Sequence, residues 1–271
     1  LRSDEFLTLV NSYKEYSMIE SSGVDEFNKI IKILLDRNLT PKFAISERLI
    51  NHHTVVTAEK KYECNVVSLS PSDKSILLSK IEISKLLPKK MTSKLRINSQ
   101  TPNHTSVVIT IKIDDIVLLL GSDLENTNDA DTGWQVIVNQ INDKYGKASF
   151  YKVPHHGSES SYNINVWQQM LCAEPIAVLT PFHCGRNILP TKIEVDRIVN
   201  HTSKSYSTAK IKAKKRKREN MVERTIRETA VEIHDVIGGI GQIRYRKNLI
   251  NEADSGDIQL FGSACLLKDI M

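Results

Sequence analysis

Asp123, His155 and His156 are the side chains of this chain whose types and spacing could do metal-assisted chemistry. Each follows an apolar run that reads as a buried strand. The five branched aliphatic residues from Ile116 to Leu120 suit a strand covered on both faces. Gly121 then lets the backbone turn, and Asp123 is left at the carboxyl end. Ala148 to Val153 repeats the plan, stopped by Pro154 and followed by His155-His156-Gly157-Ser158. A carboxylate and an imidazole on neighbouring strand ends are ligands that zinc or manganese takes when it activates water. Taken singly, an Asp after Gly-Ser is an ordinary turn residue, and a His pair is an ordinary surface feature. Two such strand tips within one short interval, joined by a helix-like segment from Trp134 to Ile141, point to function.

The elements around them can be read in outline. Residues 1 to about 38 carry helical spacing, first in Phe6, Leu9, Val10 and Tyr13, then in Phe27, Ile30, Ile31, Leu34 and Leu35. Residues 54 to 120 read mostly as short strands with polar turns. From 134 to 200 helices and strands alternate, with a helix expected over Ile193 to Val199 after the Leu189-Pro190 break. Near the end, Gly238-Gly239-Ile240-Gly241 does not follow the dinucleotide-binding order of strand, turn and helix. Alternating Ile243 and Tyr245 look instead like a strand, with Ile258 to Leu267 as its hairpin partner. The fold class is α/β.

The quoted motifs resemble the second half of a metallo-β-lactamase-fold hydrolase, in the branch that includes ComEC-type competence proteins and related phosphodiesterases and nucleases. That branch shows Asn-x-x-Ser before an apolar strand, then Leu-x-Gly-Asp, then Lys-Val-x-His-His-Gly-Ser. The counterparts are Asn103 to Ser106 leading into Val107 to Ile111, then Gly121-Ser122-Asp123, then Lys152 to Ser158. Asn65 to Ser72 is similar to the strand and turn that precede them. Trp167 to Cys172 resembles the following helix and Pro175 to Thr180 the next strand. The likeness runs from about Asn65 to about Ile198. The family's first metal motif, His-x-His-x-Asp-His, does not occur in these residues. Asn51-His52-His53 lacks its spacing and reads as a polar loop. The expectation is a C-terminal portion whose first metal motif lies in an N-terminal half or on a partner protein. Relatives also carry Gly-His-Pro where this chain has Ile188-Leu189-Pro190, with His183 and Cys184 as substitutes from the adjacent loop.

The resemblance implies an αββα sandwich, with residues 1–200 as the metallo-β-lactamase-like domain. Residues 201–220 would form a basic linker or exposed helix, and 221–271 a helix and hairpin completing the sheet. It implies hydrolysis of phosphodiesters, in DNA or RNA, with two divalent metal ions, zinc or manganese. Asp123 would bridge the ions, His156 would ligate, and His155 would hold the scissile phosphate or protonate the leaving oxygen. Neighbouring histidines are interchangeable at the level of sequence, so which one binds metal stays open. Ser158 would cap the following segment or bond the phosphate, and Lys152 would be structural. The alternative is a catalytically inactive scaffold that binds partner proteins or nucleic acid. A small-molecule phosphodiesterase is a third reading.

Composition sets bounds on these readings. In 271 residues, 40% apolar and 25% charged, there is enough apolar material for a sizeable core. Four cysteines without Cys-x-x-Cys spacing suit a reducing cytoplasm. No apolar run approaches the ~20 residues a bilayer requires, so no membrane partner is expected. Lys210 to Arg218 places seven positive charges in nine residues. Such a run is either a solvated linker or a contact to nucleic-acid phosphates, and few aromatics accompany it. If it contacts nucleic acid, neutralising Lys214, Lys215, Arg216 and Lys217 together should weaken binding to all duplex sequences alike. The slope of log affinity against log salt should fall by up to about 0.9 per lost contact. An unchanged slope in a binding titration would leave the segment as a linker.

Overall fold

The apolar runs in the middle of the chain become neighbouring strands of one sheet in the computed structural model. It describes residues 42–58, 60–86, 102–141, 144–184, 187–211, 219–229, 239–250 and 256–271, with single positions between 26 and 37. By its contacts the chain divides into residues Leu1–Phe43 and Ala44–Met271. In the first unit, Glu26, Lys29, Ile30, Lys32 to Leu34 and Asp36 are helical, in line with the periodicity. Phe6, Leu9, Val10 and Tyr13 lie outside the described residues, as does the basic run 212–218.

The second unit is mixed α/β. Its eight-stranded sheet has the order β1 (Arg48–Val56), β2 (Lys61–Ser68), β3 (Ile109–Ile113), β4 (Ile116–Leu120), β5 (Ala148–Lys152), β6 (Leu171–Leu179), β9 (Ser205–Ser207) and β12 (Cys265–Leu266). The first four strands pair antiparallel, β4 through β9 pair parallel, and β12 closes antiparallel on β9. β7 (Phe182–Cys184) and β8 (Asn187–Leu189) form a small hairpin, and β10 (Gly241–Arg246) pairs with β11 (Asp257–Gly262) in another. The C-terminal hairpin is thus a sheet of its own. The main sheet is completed by the two residues of β12 after it.

Register decides which side chains meet. Thr110, Leu119, Tyr151 and Ala177 stand in one row across β3 to β6, and all are buried. They share a core with Trp134 and Ile137 of α2 (Gly133–Ile141) and Val195 and Ile198 of α3 (Lys192–His201). In the opposite row Ile111, Leu118 and Phe150 are equally apolar yet only half-buried, while Ile176 beside them is buried. Tyr245 of β10 stacks on Phe150 there, ring centroids 5.8 Å apart.

Local chemistry explains the helices. Thr191 and Glu194 form a capping box at the start of α3. α1 (Asp73–Leu86) falls where strands and turns were expected. Ser72 starts it by accepting the Ser75 N–H at 3.2 Å, and Asp73 places a negative charge in the first turn. Its Leu77, Leu78 and Ile81 are exposed, so no clean apolar stripe announces it. Trp167 to Cys172, expected as a helix, is a single π-type turn over Val166–Met170, and the strand already begins at Leu171. α4 (Asn220–Thr229) follows the basic run. No helix among the described residues is long and apolar enough to cross a membrane.

His201, the last residue of α3, stacks on Trp167 with ring centroids 4.5 Å apart and lies 2.8 Å from the Tyr162 hydroxyl. Burial holds its imidazole below the ordinary value. The unfolded chain then binds more protons as pH falls, so stability is full above the ordinary imidazole value. It is lost between that value and the lower folded one. Urea titrations at neutral and mildly acidic pH should show a larger acid loss for the native chain than for His201→Gln.

Candidate active site at two strand ends

β4 and β5 run side by side in parallel, with Leu118, Leu119 and Leu120 opposite Phe150, Tyr151 and Lys152. Their carboxyl ends therefore open together, at the edge where α/β sheets collect ligands. Gly121 makes the exit from β4 because nothing larger fits. A Cβ there would stand 2.9 Å from the Lys152 carbonyl and 2.9 Å from Pro154 Cβ.

The two loops leaving these strands are bonded to each other. The His155 N–H donates to the Ser122 carbonyl at 2.9 Å, and the Asn126 N–H to that of Ser160 at 2.8 Å. Asn126 Nδ2 adds bonds to the Ser160 and Tyr162 carbonyls at 3.0 and 2.7 Å. From α2, the fully buried Trp134 donates its indole N–H to the Leu124 carbonyl at 2.8 Å. From α3, Glu194 accepts the Glu159 N–H at 2.6 Å. This anchoring holds an unusual backbone. Ser122, His155 and His156 have φ of 50°, 43° and 57°, in the left-handed region that side chains avoid. Such residues cost about 1–3 kcal/mol each and persist where the surroundings over-determine them.

Asp123 stands half-buried at the end of β4, and among the described residues no hydrogen bond or ion pair engages its carboxylate. Lys152 lies near enough for its charge to be felt. Burial pushes the Lys152 ammonium below the usual lysine range, while the Asp123 charge acts in the opposite direction. The Lys152 amine donates to the Val153 carbonyl at 2.9 Å.

The two histidines are distinguishable by their partners. His156 Nδ1 lies 2.8 Å from the Thr180 carbonyl, which can only accept, so Nδ1 carries a proton, and Nε2 has no hydrogen-bond partner among the described residues. Its ring packs beside Phe182 at 5.1 Å. His155 turns the other way, into a polar cluster. Its Nδ1 is 2.7 Å from Glu125 Oε1 and 3.1 Å from Ser158 Oγ, and its Nε2 is 3.4 Å from Asn103 Nδ2. Ser158 is buried, and its hydroxyl is occupied by His155, Ser160 and Ser161.

In kind, Asp123 and His156 fit a divalent ion: an unengaged carboxylate and an imidazole whose Nδ1 is fixed on a backbone carbonyl. In number they fall short of a full ligand set. Among the described residues no group of three His, Cys, Asp or Glu could hold a metal ion. His52 instead bonds Asn65 across β1 and β2 at 2.7 Å, and His183 is exposed on β7. Lys214, Lys215, Arg216 and Lys217 lie outside the described residues.

Glu125 was not legible as a site residue. Its only signal was a place two positions beyond Asp123, which gives the loop but not the direction of the side chain. No family model, curated protein or solved structure matches the chain.

A methyl group at position 121 must part the two strand ends. Gly121→Ala is expected to cost about 1–3 kcal/mol in a urea titration. Exchange of the His155 amide hydrogen should rise with it.

Proposed function

We propose that this chain carries part of a metal-dependent phosphodiester hydrolase acting on nucleic acid, built on a metallo-β-lactamase-type αββα sandwich. The observation that carries the reading is the pairing of unengaged Asp123 with the open Nε2 of His156 at two adjacent parallel strand ends, beside His155. The half-buried second face of the eight-stranded sheet supports the sandwich, which needs a sheet apolar on both sides. Unpaired Cys64, Cys172 and Cys265 suit a reducing cytoplasm.

Asp123 and His156 would hold divalent metal, zinc or manganese, with further ligands from outside the described residues. When bound, such ions polarise a phosphoryl group and make water a stronger acid. The chain's own residues do the rest. His155, turned away from His156, exchanges a proton with the substrate, and Asn103 orients its ring. The basic run from Lys210 to Arg218, with Lys214, Lys215, Arg216 and Lys217 at its heart, would follow the substrate backbone.

One observation favours the inactive scaffold as the second reading: the described residues supply two metal ligands and no third. Metal analysis after dialysis against zinc or manganese separates the two. The hydrolase reading expects bound metal that Asp123→Ala and His156→Ala each remove, together with phosphodiester cleavage lost on chelation. A folded chain that retains no metal and cleaves nothing leaves the scaffold.

A further inference from the structure

We infer that Glu125 is the positioning residue of this site. It holds His155 in the tautomer protonated on Nδ1, which leaves Nε2 to exchange the proton with a phosphodiester. The kinetic part of this inference rests on the hydrolase reading, and the structural part does not.

Glu125 Oε1 lies 2.7 Å from His155 Nδ1. A carboxylate oxygen this close faces a proton on Nδ1 rather than its lone pair. Asn103 gives the same answer from the other side of the ring. Its Nδ2 stands 3.4 Å from His155 Nε2 and 3.4 Å from Glu125 Oε1, and an amide nitrogen can donate to both. It could not approach Nε2 in this way if that atom carried a proton. Ser160 Oγ donates to the same Oε1 at 3.1 Å, and His104 Nε2 lies 3.8 Å from Oε2. The carboxylate is therefore held at Oε1, with His104 beside Oε2.

The backbone beneath Glu125 is held as well. On one side the Leu124 carbonyl accepts from Trp134, and on the other Asn126 is bonded to Ser160 and Tyr162. The histidine it faces has φ 43°, an arrangement its own backbone would not choose. A carboxylate fixed between two anchored residues, opposite a strained histidine, is placed to orient it. The step balances simply. A water attacks phosphorus and gives a proton to His155 Nε2 while the P–O bond to the leaving oxygen breaks, and that oxygen keeps the bonding pair. The ring then passes that proton to the leaving oxygen and returns to the form protonated on Nδ1.

The test uses the whole chain labelled with ¹⁵N, at alkaline pH where the ring is neutral. Long-range ¹H–¹⁵N correlations should show His155 protonated on Nδ1, and Glu125→Gln should shift it towards the Nε2 form while the remaining resonances stay in place. With bis(p-nitrophenyl) phosphate and manganese, that variant should lose kcat by on the order of 10²-fold at unchanged KM. A native chain with His155 protonated on Nε2 overturns the inference, and so does a variant that keeps both tautomer and kcat. A native chain that cleaves no phosphodiester defeats the hydrolase reading instead, and the tautomer result then judges Glu125 alone.

Discussion

The parallel pairing of β4 and β5 is the constraint on which the site depends. Parallel strands deliver both carboxyl ends to the same edge, so the loops that leave them lie side by side. Gly121 lets the ends close to backbone contact, and its own N–H donates to the Lys152 carbonyl at 3.0 Å. From there the loops act as one body, because the bonds from His155 to Ser122 and from Asn126 to Ser160 tie each to the other. The left-handed residues at 122, 155 and 156 are tolerable only inside that mutual clamp.

Helices matter to this arrangement as anchors more than as cover. Trp134 reaches from α2 to the loop of Asp123, and Glu194 reaches from α3 to the loop of the histidines. Glu194 also accepts the Thr191 N–H at 2.6 Å, so one buried carboxylate caps its helix and holds the site loop. Burying that charge is tolerable because backbone donors meet both oxygens. The outcome is a division of labour between the histidines. His156 leans on a carbonyl with Nε2 open, whereas His155 is enclosed by Glu125, Asn103 and two serines.

The main sheet is packed unevenly. One face carries Leu119, Tyr151 and Leu179 into a dense core with α2 and α3. The other presents Ile111, Leu118 and Phe150 half-buried, with Tyr245 stacked on the last of these. The run of branched aliphatics in β4 has no polar alternation, because neither face was selected to meet water. That pattern belongs to a strand meant for burial on both sides.

The strands at 116–120 and 148–152, the helix over 133–141 and the α3 helix could be read from the chain itself, because each is written in contiguous residues: an apolar run, a proline stop, a capping pair. That Asp123 and the two histidines follow adjacent strand ends was legible for the same reason, since strand tips are local features. α1 was not, because its exposed Leu77, Leu78 and Ile81 blur the helical stripe. The strand beginning at Leu171 was hidden by a turn whose residues look helical. Only tertiary structure decided that the C-terminal hairpin stands apart while Cys265 and Leu266 close the sheet, and that Glu125 and Asn103 converge on His155. Those contacts join residues 22 to 52 positions apart, and their directions come from how two loops pack rather than from any period in the sequence.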